Sequence, residues 1–155
     1  MATFQLLGQD VFSYLRPEQI NSIHNVSEMI DRRAGDLVYS QGEDARHIYV
    51  VLDGQVDLQL PGKKGFGILI ESLGRDAIFG ASASLEPGKY MLTARCRVDS
   101  KLLKIDAAML RGLLDKDCRM GYAIQRRITD LYFKRYIETM QKLQAVVMSI
   151  PLEAQ

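Results

Sequence analysis

The chain has 155 residues, 47% of them apolar and 25% charged. That length suits one domain with a genuine core and is too short for two domains of ordinary size. With 20 Lys and Arg against 19 Asp and Glu the net charge is +1, which gives no global attraction to nucleic acid or anionic membranes.

No run approaches the roughly 18 apolar residues that suggest a membrane span, and the first residues carry neither a basic segment nor a long apolar one. A cytoplasmic protein without membrane contact is therefore expected. Cys96 and Cys118 are far apart and form no CxxC pair, which rules out an all-cysteine zinc or iron-sulfur site within one chain and speaks against a disulfide framework. The charge is unevenly spread: residues 1–60 carry net −5, residues 61–115 net +3 and residues 116–155 net +3.

Residues 1–27 read as a short helical segment. Val11, Phe12 and Leu15 precede Pro17, and Ile20, Ile23 and His24 follow it at helical spacing, with the proline suited to a first turn. From about residue 28 the period changes to two. Apolar stretches at Leu37–Tyr39, Ile48–Leu52, Val56–Leu60, Gly67–Ile70 and Met91–Ile105 are separated by Gly- and Pro-containing turns, with Asp53-Gly54 the strongest turn signal. Many short strands at near-regular spacing predict a mainly β protein over residues 28–115, a sandwich, barrel or jelly roll.

After residue 105 the pattern turns helical. Asp106 can cap a short helix through Met109, Leu110, Leu113 and Leu114. Residues 116–148 then predict one long helix, free of Gly after Gly121, with Pro151 in the tail 149–155 to stop it. Its stripe of Met120, Ile124, Ile128, Leu131, Tyr132, Tyr136, Met140 and Leu143 recurs every three or four residues. At 1.5 Å per residue it outruns a small β-domain, so its far end needs another surface, and a parallel helix-helix homodimer seam is expected. The wider arc of Tyr132, Phe133, Tyr136 and Ile137 would let one edge touch the β-body while the other meets the second chain.

Residues 34–56 carry a distinctive set of spacings: Ala34-Gly35-Asp36, Gln41-Gly42-Glu43, Ala45, Ile48-Tyr49-Val50-Val51 and Asp53-Gly54-Gln55-Val56. Phe79-Gly80, Thr93-Ala94-Arg95 and Leu102-Leu103-Lys104-Ile105-Asp106 continue it. Together they resemble the cyclic nucleotide-binding domain, the effector domain of the catabolite activator and fumarate-nitrate regulator family, over roughly residues 28–148. The resemblance implies a jelly roll (double-stranded β-helix) sandwich with short N-terminal helices and a long C-terminal dimerisation helix. It also implies a phosphate-binding cassette after the Phe-Gly pair, in which a glutamate holds the ribose hydroxyl and an arginine pairs with the cyclic phosphate. Here those positions fall on Ala81 and Tyr90. Losing both would remove about 3–6 kcal/mol if the two terms added, so ordinary cyclic AMP sensing is not expected.

The candidate ligand-binding residues are Phe79, Gly80, Ala81, Ser82, Ser84, Lys89, Tyr90 and Thr93. Backbone N–H groups at Gly80, Ala81 and Ser82 could still favour an anion, with Lys89 as the one nearby cation and Glu86 able to neutralise it. An open space beside Ala81, Lys89 and Tyr90 would favour a ligand; a Tyr90 ring filling it would favour a pocket packed shut.

No catalytic site, metal site or cofactor is expected. His24 and His47 are too few for a metal-binding jelly roll, His24, His47 or Cys96 as haem ligands would rest on single residues, and no Ser-His-Asp arrangement has a nucleophile-elbow context. The resemblance implies a DNA-binding domain beyond the long helix, and residues 149–155 cannot form its recognition helix, so no direct DNA binding is expected. Arg126, Arg127, Lys134, Arg135 and Lys142 interleave with the stripe as the wet face of an amphipathic helix does.

Two functions follow. One is a stand-alone regulatory sensor module, homodimeric, binding a small effector that could be anionic and nucleotide-like and signalling through the C-terminal helix to an unidentified protein partner. The other is a ligand-free interaction or scaffold module with a degenerate pocket.

Overall fold

The computed structural model describes residues 12, 14–84 and 88–151, with the side chain of Ser84 outside that description. Val11, Glu86 and the last four residues of the tail also lie outside the described residues. Helix α1 spans Pro17–Asn25. Among the described residues eight strands follow: β1 Ser27–Arg32, β2 Leu37–Tyr39, β3 His47–Asp53, β4 Val56–Pro61, β5 Gly67–Leu73, β6 Ile78–Phe79, β7 Thr93–Cys96 and β8 Ser100–Asp106. Helices α2, Ala107–Lys116, and α3, Cys118–Met148, complete the order.

The strands form two antiparallel four-stranded sheets, ordered β1-β8-β3-β6 and β2-β7-β4-β5, the jelly roll of the resemblance. Asp53-Gly54 sits at a crossover between them rather than in a hairpin, because β3 and β4 belong to different sheets. Gly54 has φ +96°, and a Cβ there would lie 2.7 Å from the Asp99 carbonyl oxygen, so only glycine fits.

Strand β3 is apolar from Ile48 to Leu52 because both of its faces are covered there. Tyr49 and Val51 point between the sheets with Val56, Leu58, Phe79, Tyr90, Ala94 and Leu102. Ile48 and Val50 point the other way, with Leu103 and Ile105, into a second core closed by the helices. The Tyr-Val-Val run thus alternates between two cores. Side chains such as these stabilise by about 1.5–3 kcal/mol each when fully buried.

The helical layer rests on that second core. Pro17 opens α1, and buried Ile23 docks it. The Asp106 carboxylate accepts from the Met109 N–H at 2.8 Å and starts α2, which buries Leu110 and Leu114. The Asp117 carboxylate accepts from the Met120 N–H at 3.1 Å and starts α3. Gly121 lets α3 approach α2: a Cβ there would sit 2.9 Å from the Leu114 carbonyl oxygen. Met120, Ile124 and Ile128 are then buried in the chain's own core, whereas from Tyr132 onward the helix is largely exposed. Among the described residues no helix is long and apolar enough to cross a membrane.

Candidate functional site

The cassette is built where β6 ends. Phe79 is fully buried, stacked on Tyr49 with ring centroids 5.2 Å apart. Gly80 turns the chain at φ +74°, with space for a Cβ limited by the His47 carbonyl oxygen at 3.1 Å and the Tyr39 ring at 3.3 Å. A single 3-10 turn, Ala81–Ser84, follows.

Both helices grip this turn. The Ala81 N–H donates to the Tyr132 hydroxyl of α3 at 3.3 Å, and the Arg111 guanidinium of α2 donates to the Ala83 carbonyl at 2.7 Å. One helical turn beyond Tyr132, the Arg135 guanidinium donates to the Ile78 carbonyl at 3.2 Å and pairs with Glu71 of β5 at 2.8 Å. Burial raises the phenol pKa of Tyr132, which keeps its hydroxyl neutral at physiological pH.

Tyr90 occupies the position where the resemblance places an arginine. It is buried, its ring stacks on Tyr39 with centroids 3.7 Å apart, and its hydroxyl donates to the His47 carbonyl at 2.7 Å while accepting the His47 N–H at 3.1 Å. Burial raises the pKa values of Tyr39, Tyr49 and Tyr90 alike, so these rings form a neutral cluster. Lys89 is exposed and turned toward Asp44, with Nζ 2.8 Å from the carboxylate, and that hydrogen bond lowers the Asp44 pKa. The Thr93 hydroxyl accepts the Gln41 N–H at 3.1 Å. Of the candidate ligand residues, Gly80 and Ser82 are the ones that line the space described next among the described residues.

That space is a cleft of about 540 Å³ between the β2-β7-β4-β5 sheet and the distal part of α3. Tyr39, Leu58, Ile70, Met91 and Leu92 line it from the body, and Tyr132, Arg135, Tyr136 and Lys142 from the helix. Most of these were not identified from the sequence. Leu58 and Ile70 lie at a register shift between β4 and β5, and Met91 and Leu92 precede β7 within the apolar stretch Met91–Ile105. The available signal was the inward parity of Leu58 on β4.

The predicted seam residues separate into two groups. Met120, Ile124 and Ile128 pack within the chain with partly buried Leu131, whereas Tyr132, Tyr136, Met140 and Leu143 remain exposed. Among the basic residues of α3, Arg127 lies over the Tyr14 ring at 4.2 Å and Arg135 is held as described. Among the described residues no group of three or more His, Cys, Asp or Glu could hold a metal ion.

Beside the two-sheet jelly roll, the 3-10 cassette after Phe-Gly and the long helix laid across it, residues 30–117 match the cyclic nucleotide-binding domain model. The chain belongs to the cyclic nucleotide-binding domain family. It is 25% identical over 140 residues to a cAMP-dependent protein kinase regulatory subunit of Dictyostelium discoideum, covering 90% of this chain and 39% of that protein. The Thermus thermophilus catabolite activator protein superposes with a TM-score of 0.74 at 21% identity, covering 89% of this chain and 63% of that one. A cyclic nucleotide-binding domain from Methylobacillus flagellatus gives 0.76 at 13% identity, covering 90% and 78%. The chain spans less than half the length of the curated relatives it matches.

Proposed function

We propose that this chain is a homodimeric regulatory sensor module that binds a small effector in the cleft beside its cassette and signals through α3 to a protein partner. The observation that carries this reading is the position of the cleft: a molecule in it touches the β-body and α3 at once. The Tyr132 hydroxyl already links α3 to the Ala81 N–H, so anything that displaces or reinforces that bond alters how the helix is held. Relatives named for cyclic AMP dependence or activation are regulators, which supports the regulatory class. The distal stripe supports the dimer.

A second reading is favoured by Tyr90. Its packed ring replaces the arginine of the resemblance, as expected of an interaction module with no ligand. A thermal-shift screen of cyclic AMP, cyclic GMP and other anionic metabolites, extended to apolar acids, decides between them. A true effector at 100 times its dissociation constant adds about 2.7 kcal/mol, or roughly 5–11 °C for a chain of this length. No shift with any compound would leave the scaffold reading in possession.

A further inference from the structure

The lining of the cleft points to the class of its ligand, an inference that rests on the sensor reading above. A cyclic nucleotide brings a phosphodiester charge, and a buried charge needs a partner. Here the groups at the cassette end of the cleft, Arg135 and the Ala81 N–H, are engaged, and Lys142 on the distal helix is the other lining cation among the described residues. Arg135 is the lone arginine among the described lining residues, and Glu71 and the Ile78 carbonyl hold its guanidinium. The Ala81 N–H points at the Tyr132 hydroxyl, and Lys89 lies outside the lining on Asp44. Glu71 itself places a carboxylate on the wall, which further disfavours a phosphate.

What the cleft does offer is apolar surface. Leu58, Ile70, Met91 and Leu92 form one wall, and the rings of Tyr39 and Tyr136 bound it. Ser82 and Thr139 supply neutral hydroxyls, and Glu138 and Lys142 carry one charge of each sign. The volume of about 540 Å³ lies inside the range of roughly 300–1,000 Å³ typical of small-molecule sites, which are mostly apolar with a few polar groups to fix orientation. Met91, 70% exposed, adds apolar surface to this wall that is open to a ligand.

We propose that the cleft takes a lipophilic small molecule, an aromatic or aliphatic body with at most one charged head and no phosphate, in place of a cyclic nucleotide. The apolar body lies along Leu58, Ile70 and Met91, and the head lies toward Ser82 or Lys142.

The test is calorimetric titration of the full chain with decanoate, 4-phenylbutanoate, cyclic AMP and cyclic GMP. The expected result is saturable binding of at least one of the two apolar acids, one per chain, at least tenfold tighter than either cyclic nucleotide. Met91→Asp changes an exposed side chain, so the fold stands, and it should weaken the acid at least tenfold; Phe66→Ser, outside the cleft, should leave it unchanged. Cyclic AMP binding more tightly than both acids overturns the lipophilic assignment and leaves the sensor reading standing. Acid binding indifferent to both Met91→Asp and Ile70→Asp overturns the location. Absence of binding by all four compounds overturns this inference, and a screen equally silent overturns the sensor reading with it.

Discussion

Replacing Met140 and Leu143 with lysine should convert a dimer of this chain into a folded monomer. Beyond Ile128 the helix has left its own core, yet Tyr136, Met140, Leu143 and Val147 continue an apolar stripe in steps of four, three and four residues, each about half exposed. Full burial of such a side chain is worth about 1.5–3 kcal/mol, so each of these has about half that still to gain. The double substitution removes four of the eight such side chains in a two-fold pair, about 3–6 kcal/mol, or two to four powers of ten in the dissociation constant. It also sets four lysines against one another. Because both residues are exposed, the fold itself should survive, and circular dichroism should be unchanged. Sedimentation across a broad dilution series should show a dimer for the native chain and a monomer for the variant. A double variant that keeps the native mass, or a native chain that is monomeric throughout, would refute the seam. Ile128→Asp is a poor test of the same idea, because Ile128 is buried within its own chain and its loss damages the core.

Three further outcomes follow from the site and the core. Tyr90→Phe keeps the stack on Tyr39 but removes both hydrogen bonds to the His47 backbone, which should cost about 1–3 kcal/mol and lower Tm by several degrees; an unchanged Tm would show that the hydroxyl contributes nothing. Gly80→Ala places a Cβ at φ +74° and 3.1 Å from the His47 carbonyl oxygen, costing at least roughly 1–2 kcal/mol, and a melting curve identical to the native one would contradict the strain. His24 and His47 both have pKa values lowered from 6.5, chiefly by burial. Below pH 6.5 the unfolded chain therefore binds protons that the folded chain refuses, so stability should fall as pH drops from 6.5 toward the folded values and be insensitive to these groups above it. Urea unfolding should show that slope for the native chain and a shallower one for the double His→Gln variant; equal slopes would be the contrary result.

The helices were legible because their boundaries are chemical. Asp106 and Asp117 carry carboxylates placed to accept from the third residue on, so α2 starts at Ala107 and α3 at Cys118, and the 31-residue length of α3 follows from the absence of breakers. The strands were legible where one face was buried. β1 escaped because its exposed edge mixes Glu28, Asp31 and Arg32 with Met29 and Ile30, and β6 because two residues show no period. The apolar stretch Met91–Ile105 holds two strands, β7 and β8, and the turn between them at Arg97–Asp99 has no glycine or proline to mark it. The departures at Ala81 and Tyr90 were visible in the sequence, but the cleft was not. It depends on where the distal part of α3 lies across the second sheet, a long-range arrangement fixed by Tyr132 on Ala81 and Arg135 on Glu71. For the same reason the stripe did not reveal where core ends and exposed face begins.

The central claim is that a ligand in the cleft is felt by α3, and amide hydrogen exchange of the full chain tests it most directly. With the tightest binder among cyclic AMP, cyclic GMP, decanoate and 4-phenylbutanoate at saturation, protection should change together in the cassette turn at residues 81–84 and along residues 132–142 of the helix. Protection confined to the β-body, with the exchange of α3 unaltered, would contradict the account.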